Sequence, residues 1–455
     1  MKHLTPTRIA KITGGELVGD MCVRDIVVKG AVKDNREVTP SCLFVCIRGA
    51  RADGHTFANS AFEEGAACCL AEQTIPNAIG PYVLVESTLE AVKKLGAYHR
   101  SLFDIPVIGV TGSVGKTTTK EMTAAVLSSK HKVLKTPKNH NNELGVPLTL
   151  LSLDSSHGAA VIEMGISESG EMSRLAEMVR PTISIITKIG YSHLNTLGDL
   201  AGVLRAKTEI FDFMDSSGLA VLSGDDDLLW EYDPGMRKVT FGLDERNDFR
   251  AENISTDKME KVLFDIVHES GRFPACIPSY GGHLAIAALA AAATGRALGL
   301  TDEEISCGFL SYLPVEGRAN VRETGYITLI DDCYNANPDS VMTALESLSA
   351  LPRRRVAILG DMLNLGGLSD SMHREIGAFA ARRSIDCLIC CGDMAALVYE
   401  GYTSSGGNEA HYYPDKEGLI SAIMGLIKKE DAVLVKASHG MKFEELLPVI
   451  SRLRE

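Results

Sequence analysis

Residues Val107–Met122 read VIGVTGSVGKTTTKEM. An apolar strand run, three glycines (Gly109, Gly112 and Gly115), a lysine and a string of threonines share these sixteen positions. Strand, glycine loop and helix in that order aim several backbone N–H groups and a helix N-terminus at one anion, while the lysine adds charge. The stretch Thr111, Gly112, Ser113, Gly115, Lys116, Thr117 and Thr118 is therefore read as a cradle for a nucleoside triphosphate. Lys116 would reach the β- and γ-phosphates, and the Thr117 hydroxyl would hold Mg2+. One position departs from the usual G-x-x-x-x-G-K-T. Five residues before Gly115 stands Val110, with Gly109 and Gly112 on either side of it.

Outward from this loop the chain falls into three blocks. The loop opens the second, which alternates apolar strand runs, such as AAVIEMG (Ala159–Gly165) and TISIITKIG (Thr182–Gly190), with helical patterns. It closes on an alanine-rich helix over Gly282–Gly295. Such alternation argues for a parallel sheet flanked by helices. The first block mixes short strand-like runs, CLFVCI and YVLVE, with a helical stretch through FANSAFEEGAACC. A hinge is expected at Pro314–Gly317. Beyond it YITLIDD, RVAILGD, DCLICCG and AVLVKAS are strand candidates. Each ends in Asp, Gly or Ser, at the edge where open α/β sheets place their ligands. The expected fold is α/β with three domains: a small α/β domain over 1–103, a P-loop domain with a mainly parallel sheet over 104–313, and a Rossmann-like domain over 314–455.

Composition agrees with three domains, since 455 residues exceed what one core of ~150 residues holds. A hydrophobic share of 45% and a charged share of 23% are those of a soluble globular protein. The net charge of -13 argues against a nucleic-acid-binding surface, which would be basic. The start, MKHLTPTRIAKITGGELVGD, has no apolar signal-peptide core. The longest charge-free apolar run, LAIAALAAAATG, is far short of the roughly 20 residues that span a bilayer. The 11 cysteines are read as reduced, mostly buried thiols. A cytoplasmic monomer is expected.

A triphosphate bound with Mg2+ calls for oxygen ligands. Glu163 ends the strand run AAVIEMG, beside the loop strand, and is placed to face a metal. His193 follows the next strand run in IGYSHLN and is a second candidate. Lys207 lies in GDLAGVLRAKTEIFDFM, on the helical stripe formed by Leu200, Val203, Leu204, Ile210, Phe211 and Met214. A cation on a core-facing stripe is costly unless paired or altered. A functional lysine follows, open to carbamylation by CO2 into a metal-binding anion.

Taken in order, these strings resemble the Mur ligase family, which builds the peptide stem of bacterial peptidoglycan. The resemblance is carried by KDNREVTPSCLFVCIRGARADGHTFANSAFEEGA in the first block. In the second it is carried by GVTGSVGKTTTKEM, TPKNHNNELGVPLTLL, EMG, GYSHLNTLG and RAKTEIF. In the third it is carried by GRANV, IDDCYNANPDSV, LGDMLNLG and VKAS. It implies an ATP-dependent amide ligase that joins D-alanyl-D-alanine to UDP-N-acetylmuramoyl-tripeptide through an acyl phosphate. The three domains would bind the UDP-sugar, ATP and the amino substrate in turn. Glu163, His193 and Thr117 would be metal ligands and Lys207 the carbamylated lysine. Asp34, Asn35, Arg36, Arg48, Asp53 and His55 would meet the nucleotide-sugar, and Asn139, Asn141 and Asn142 its muramyl and phosphate region. Arg318 would swing in to the ATP phosphates. Asp332 would meet the ribose, with His283, Tyr334, Asn335 and Asn337 near the nucleotide, while Lys436 and Ser438 would meet the amine.

Three departures stand out against the family pattern. Asn35 replaces the middle residue of D-S-R. Leu284 and Ala287 replace the asparagines of H-N-x-x-N after His283. His439 stands where arginine is commoner. A ligase adding the third stem residue and a folylpolyglutamate-synthetase-like ligase are the alternatives. The YNANP string weighs against the first, and the whole block preceding the loop against the second. A P-loop switch would need no third domain.

Overall fold

The computed structural model describes residues 4–19, 25–49, 52–257 and 260–453. Three sheets succeed one another along the chain, and no strand is shared between them. The first holds β1 (Glu16–Val18), β2 (Gly30–Val32), β3 (Cys42–Val45), β4 (Cys68–Ala71) and β5 (Tyr82–Leu84), in the order β1-β5-β4-β3-β2. Only the β1–β5 pair is antiparallel. Every residue of β3 and β4 is buried, as expected of strands covered on both faces. The helix expected through FANSAFEEGAACC is shorter than that: it spans Ala58–Glu63. Gly65, at φ 102°, turns the chain out of it, and Cys68 and Cys69 belong to β4 instead.

The second sheet contains β6 (Val107–Thr111), β7 (Val133–Lys135), β8 (Ala159–Glu163), β9 (Ile183–Ile186), β10 (Leu219–Ser223), β11 (Arg237–Gly242), β12 (Phe249–Asp257), β13 (Lys261–His268) and β14 (Gly271–Ile277). Its order is β14-β13-β12-β11-β10-β9-β6-β8-β7, parallel from β7 to β12. The antiparallel meander β12–β14 is an addition that alternation of strand and helix did not announce. Its own signal is period two: residues of β13 alternate between half-buried and buried. The alanine-rich helix, Leu284–Ala297, packs with the helix Lys116–Leu127 in the core on one face of this sheet. The Lys207 helix is also shorter than its sequence stripe, running Leu200–Thr208 before a 3-10 turn at Glu209–Phe211.

The third sheet holds β15 (Asn320–Glu323), β16 (Thr328–Asp331), β17 (Arg355–Gly360), β18 (Cys387–Cys391), β19 (Glu409–Tyr413) and β20 (Ala432–Lys436). Its order is β15-β16-β20-β17-β18-β19, with only β15 antiparallel. The four strand candidates of the third block are β16, β17, β18 and β20. Polar β15 and β19 carry no apolar run and escaped notice. Among the described residues, no helix is long and apolar enough to cross a membrane.

Candidate active site

Strand β6 lies between β8 and β9, so the carboxyl ends of three adjacent parallel strands converge on one point. From β6 the chain enters the glycine loop. Gly112 has φ 144°, and a Cβ there would come within 2.0 Å of Thr187 Oγ1 just past β9. This explains the departure at Val110. That residue is buried inside β6, and the position that must lack a side chain is 112. The loop is pinned to the β9 end by Ser113 N donating to the Lys188 carbonyl at 2.8 Å. The Ser113 hydroxyl also donates to Gly190 O (3.0 Å) and accepts from Gly190 N (2.9 Å). Thr111 closes β6 with a buried hydroxyl that has no hydrogen-bond partner. Gly115, at φ 83°, precedes the helix that starts at Lys116.

Around this loop gather the candidate metal ligands. Glu163 ends β8 with only 1% of its surface exposed. Its Oε1 accepts from Thr117 Oγ1 (3.2 Å) and Asn141 Nδ2 (2.8 Å), whereas Oε2 is buried without a hydrogen bond. That unsatisfied oxygen beside a hydroxyl suits a hard divalent cation. Lys116 Nζ donates to Gly112 O at 2.7 Å. Burial holds its pKa down, with Arg318 adding to the effect and Glu163 opposing it. Lys207 is 2% exposed, as its place on the apolar stripe predicted. Burial, with Lys116 nearby, drives its pKa well below that of an ordinary lysine. His193 is pushed down to about 4 by burial and by the charges of Lys116 and Lys207, so its imidazole is neutral at pH 7.

The third sheet supplies the opposite wall. A cavity lined by Ser113–Thr118 and His283 of the second unit faces Arg318, Asp332, Asn335, Asn337 and Lys436 of the third. The Arg318 guanidinium lies 4.0 Å over the Tyr334 ring, which is itself tilted against His439. Tyr334 thus serves the cavity through Arg318, and His439 backs that platform. Asp332 accepts from Ala319 N (3.2 Å) and meets Lys436 Nζ at 2.6 Å. Lys436, expected beside the amine, lines this cavity and also donates to Asn335 O. Ser438 is engaged with backbone, donating to Ala336 O and accepting from Leu363 N. Asn337 caps the helix Pro338–Ser349, and its amide reaches Ser113 O at 3.4 Å. The buried His283 Nδ1 has no partner.

The first-block candidates lie apart from this cavity. Asp34 caps the 3-10 turn Asn35–Glu37 and is held near pKa 2 by hydrogen bonds from Arg36, whose side chain is exposed. Arg48 donates to Gln73 (2.7 Å) and lies 3.5 Å from Asp53. Asp53 holds His55 Nδ1 at 2.5 Å, while His55 Nε2 accepts from Glu72 N (2.9 Å). His55 is a buried bracket for its loop rather than an open contact. Of the asparagines, Asn141 reaches Glu163, Asn142 accepts from Gly145 N at the start of the helix Gly145–Leu150, and Asn139 stays exposed.

Three family models match the chain in sequence order. They are the Mur ligase family catalytic domain over 28–100, the Mur ligase middle domain over 110–295, and the Mur ligase glutamate ligase domain over 317–439. The chain belongs to the Mur ligase family. It is 35% identical over 450 residues to the UDP-N-acetylmuramoyl-tripeptide–D-alanyl-D-alanine ligase of Bacillus subtilis, covering 97% of both chains. A crystal structure of MurF from Acinetobacter baumannii superposes with TM-score 0.88 at 30% identity, covering 98% of each chain. MurF ligase from Thermotoga maritima, solved in complex with ADP, superposes with TM-score 0.82 at 29% identity over 94% of this chain and 98% of that one.

Two features of this Mur ligase escaped the sequence. Asp339, in the first turn of the helix Pro338–Ser349, accepts from Tyr191 N (3.1 Å) and pairs with Lys188 Nζ (2.8 Å), tying the third unit to the second. Position 339 reads as an ordinary acidic residue in a helix's first turn, so nothing marked it. Cys387, Glu409 and His411 cluster on neighbouring strands, and Cys387 and Cys390 stand in C-x-x-C spacing. The two thiols pack into cores on opposite faces of the sheet and cannot meet. Glu409 is already held by Arg354 Nη2 at 2.8 Å, and burial pushes the Cys387 thiol up to about 12. That cluster is therefore an ion-pair network.

Proposed function

We propose that this chain joins D-alanyl-D-alanine to the free carboxylate of UDP-N-acetylmuramoyl-tripeptide at the expense of ATP, a step of peptidoglycan synthesis. The observation that carries the reading is correspondence across the whole chain with ligases of that name. The glycine loop facing Arg318 across one cavity supports it. In this reading 1–103 holds the nucleotide-sugar, 104–313 the ATP and 314–455 the amine.

A carboxylate is a poor acyl donor, because oxide would have to leave. Its oxygen attacks the γ-phosphorus, an O–P bond forms and the bond to ADP breaks, leaving an acyl phosphate. The amine of D-alanyl-D-alanine then attacks the acyl carbon, the nitrogen gives up a proton, and phosphate departs as the C–N bond is completed. Two anions must be held in contact, so Lys116 and Arg318 are assigned to the triphosphate oxygens. Thr117 and Glu163 would hold Mg2+, which neutralises charge on the transferring phosphoryl group. The depressed pKa of Lys207 leaves a neutral amine fraction able to attack CO2. Loss of a proton then gives a carbamate anion, a further oxygen ligand beside His193. Covering the cavity with the third unit keeps water from the acyl phosphate.

Phosphate release from ATP, with the nucleotide-tripeptide and D-alanyl-D-alanine added singly and together, tests the reading. Release requiring both, with the coupled nucleotide-pentapeptide seen by mass, is expected. Release with neither, or only with another amine, would overturn it.

A further inference from the structure

Lys120 is completely buried, and no step above uses it. It lies three residues past Thr117 on the helix Lys116–Leu127, so the two side chains stand on one helical face. Together they meet both oxygens of one carboxylate. Thr117 Oγ1 donates to Oε1 of Glu163, and Lys120 Nζ lies 3.7 Å from Oε2. The ammonium also donates to Thr136 O (2.9 Å) and pairs with Glu121 Oε1 (2.9 Å). Glu121 is shared with Lys135. A carboxylate this deeply buried, with one oxygen accepting no hydrogen bond, is costly without a cation to balance it.

We propose that Lys120 is a positioning residue acting through Glu163: it balances the buried carboxylate while the phosphate loop is empty, and competes with a divalent cation for it. The inference rests on reading Glu163 as a metal ligand. Lys116 and Lys120 both set positive charge beside that carboxylate. A lone divalent cation entering there meets repulsion, which is strong in low dielectric. A cation arriving with a triphosphate brings excess negative charge and is accepted. The lysine thus makes metal binding depend on nucleotide.

Lys120→Gln keeps a donor for Thr136 O and removes the charge. Mn2+ binding to the nucleotide-free protein, followed by the electron paramagnetic resonance of free Mn2+, should tighten about tenfold in this variant. Adding Glu163→Gln should abolish the gain. Unchanged or weaker Mn2+ binding in Lys120→Gln overturns the proposal. Glu163→Gln alone leaving ADP-dependent Mn2+ binding intact would instead overturn the metal reading beneath it. Thermal unfolding without metal or nucleotide gives a second measure. Lys120→Gln should lower the midpoint and Glu163→Gln should restore most of that loss, whereas additive losses overturn the coupling. A double variant that folds where Lys120→Gln does not is the same supporting result.

Discussion

The two walls of the cavity are both built at the carboxyl ends of parallel strands, yet their charges are arranged in opposite ways. On the third-sheet wall Lys436 is matched: Asp332 and the Asn335 carbonyl both receive it. On the second-sheet wall Lys116 donates only to a loop carbonyl, Lys207 is buried beside it, and Glu163 keeps an oxygen without a donor. One wall is complete in itself. The other carries a cation, Lys116, that meets only a carbonyl, which is the state a triphosphate would relieve. Charge balance, more than residue type, separates a scaffold from a binding surface.

The contrast can be broken most forcefully at Lys116. Lys116→Ala should reduce kcat/KM by about 10^3 in the coupled phosphate-release assay, in line with the loss of one stabilising charge in phosphoryl transfer. Its unfolding midpoint should hold or rise, since a partly covered cation held below its usual pKa is removed. Lys436→Met should do the reverse, lowering stability by about 3 kcal/mol in denaturant titration because Asp332 loses its partner. If Lys436→Met leaves stability unchanged, the third-sheet wall is not self-sufficient.

Smaller effects test how the walls are joined. Asp339→Ala removes the acceptor for Tyr191 N and the partner of Lys188, at a cost of roughly 1.5 kcal/mol. We expect KM for ATP to rise about tenfold with kcat little changed, read from steady-state kinetics. The smallest effect concerns His373, which is completely buried. Its Nε2 accepts from Met362 N and its Nδ1 faces the Ser369 carbonyl, so the native ring is neutral, and burial lowers its pKa. The unfolded chain then binds the extra proton first, and stability falls as pH drops below about 6.5. His373→Gln should flatten that fall in unfolding titrations between pH 7 and 5.

What the sequence made legible follows the same division. The phosphate loop, Glu163 and His193 stand at or just past the ends of apolar strand runs and Lys207 sits on an apolar helical stripe, so each could be picked out in the sequence. Lys207 shows it best, since a lysine on an apolar stripe was expected to be buried and is. The third-sheet wall depends on which strands adjoin. Only the placement of β20 between β16 and β17 brings Lys436 to Asp332, across 104 positions of sequence. Asp339 was missed because its partners, Lys188 and Tyr191, come from a loop about 150 positions away in the chain. The meander β12–β14 was missed because the βα rhythm before it set the expectation.

The three sheets share no strand, so the second and third units meet through side chains and loop backbone, as at Asn337–Ser113 and Asp339–Tyr191. Each such bond is worth on the order of 1 kcal/mol, far below the cost of unpairing a sheet. Parting the walls therefore asks nothing of the internal order of either unit. The Asn337 cap illustrates it, because Oδ1 goes on holding Ser340 N after the amide lets go of Ser113. Exchange of reactants can in this way proceed by parting the walls while each unit keeps its own internal bonds.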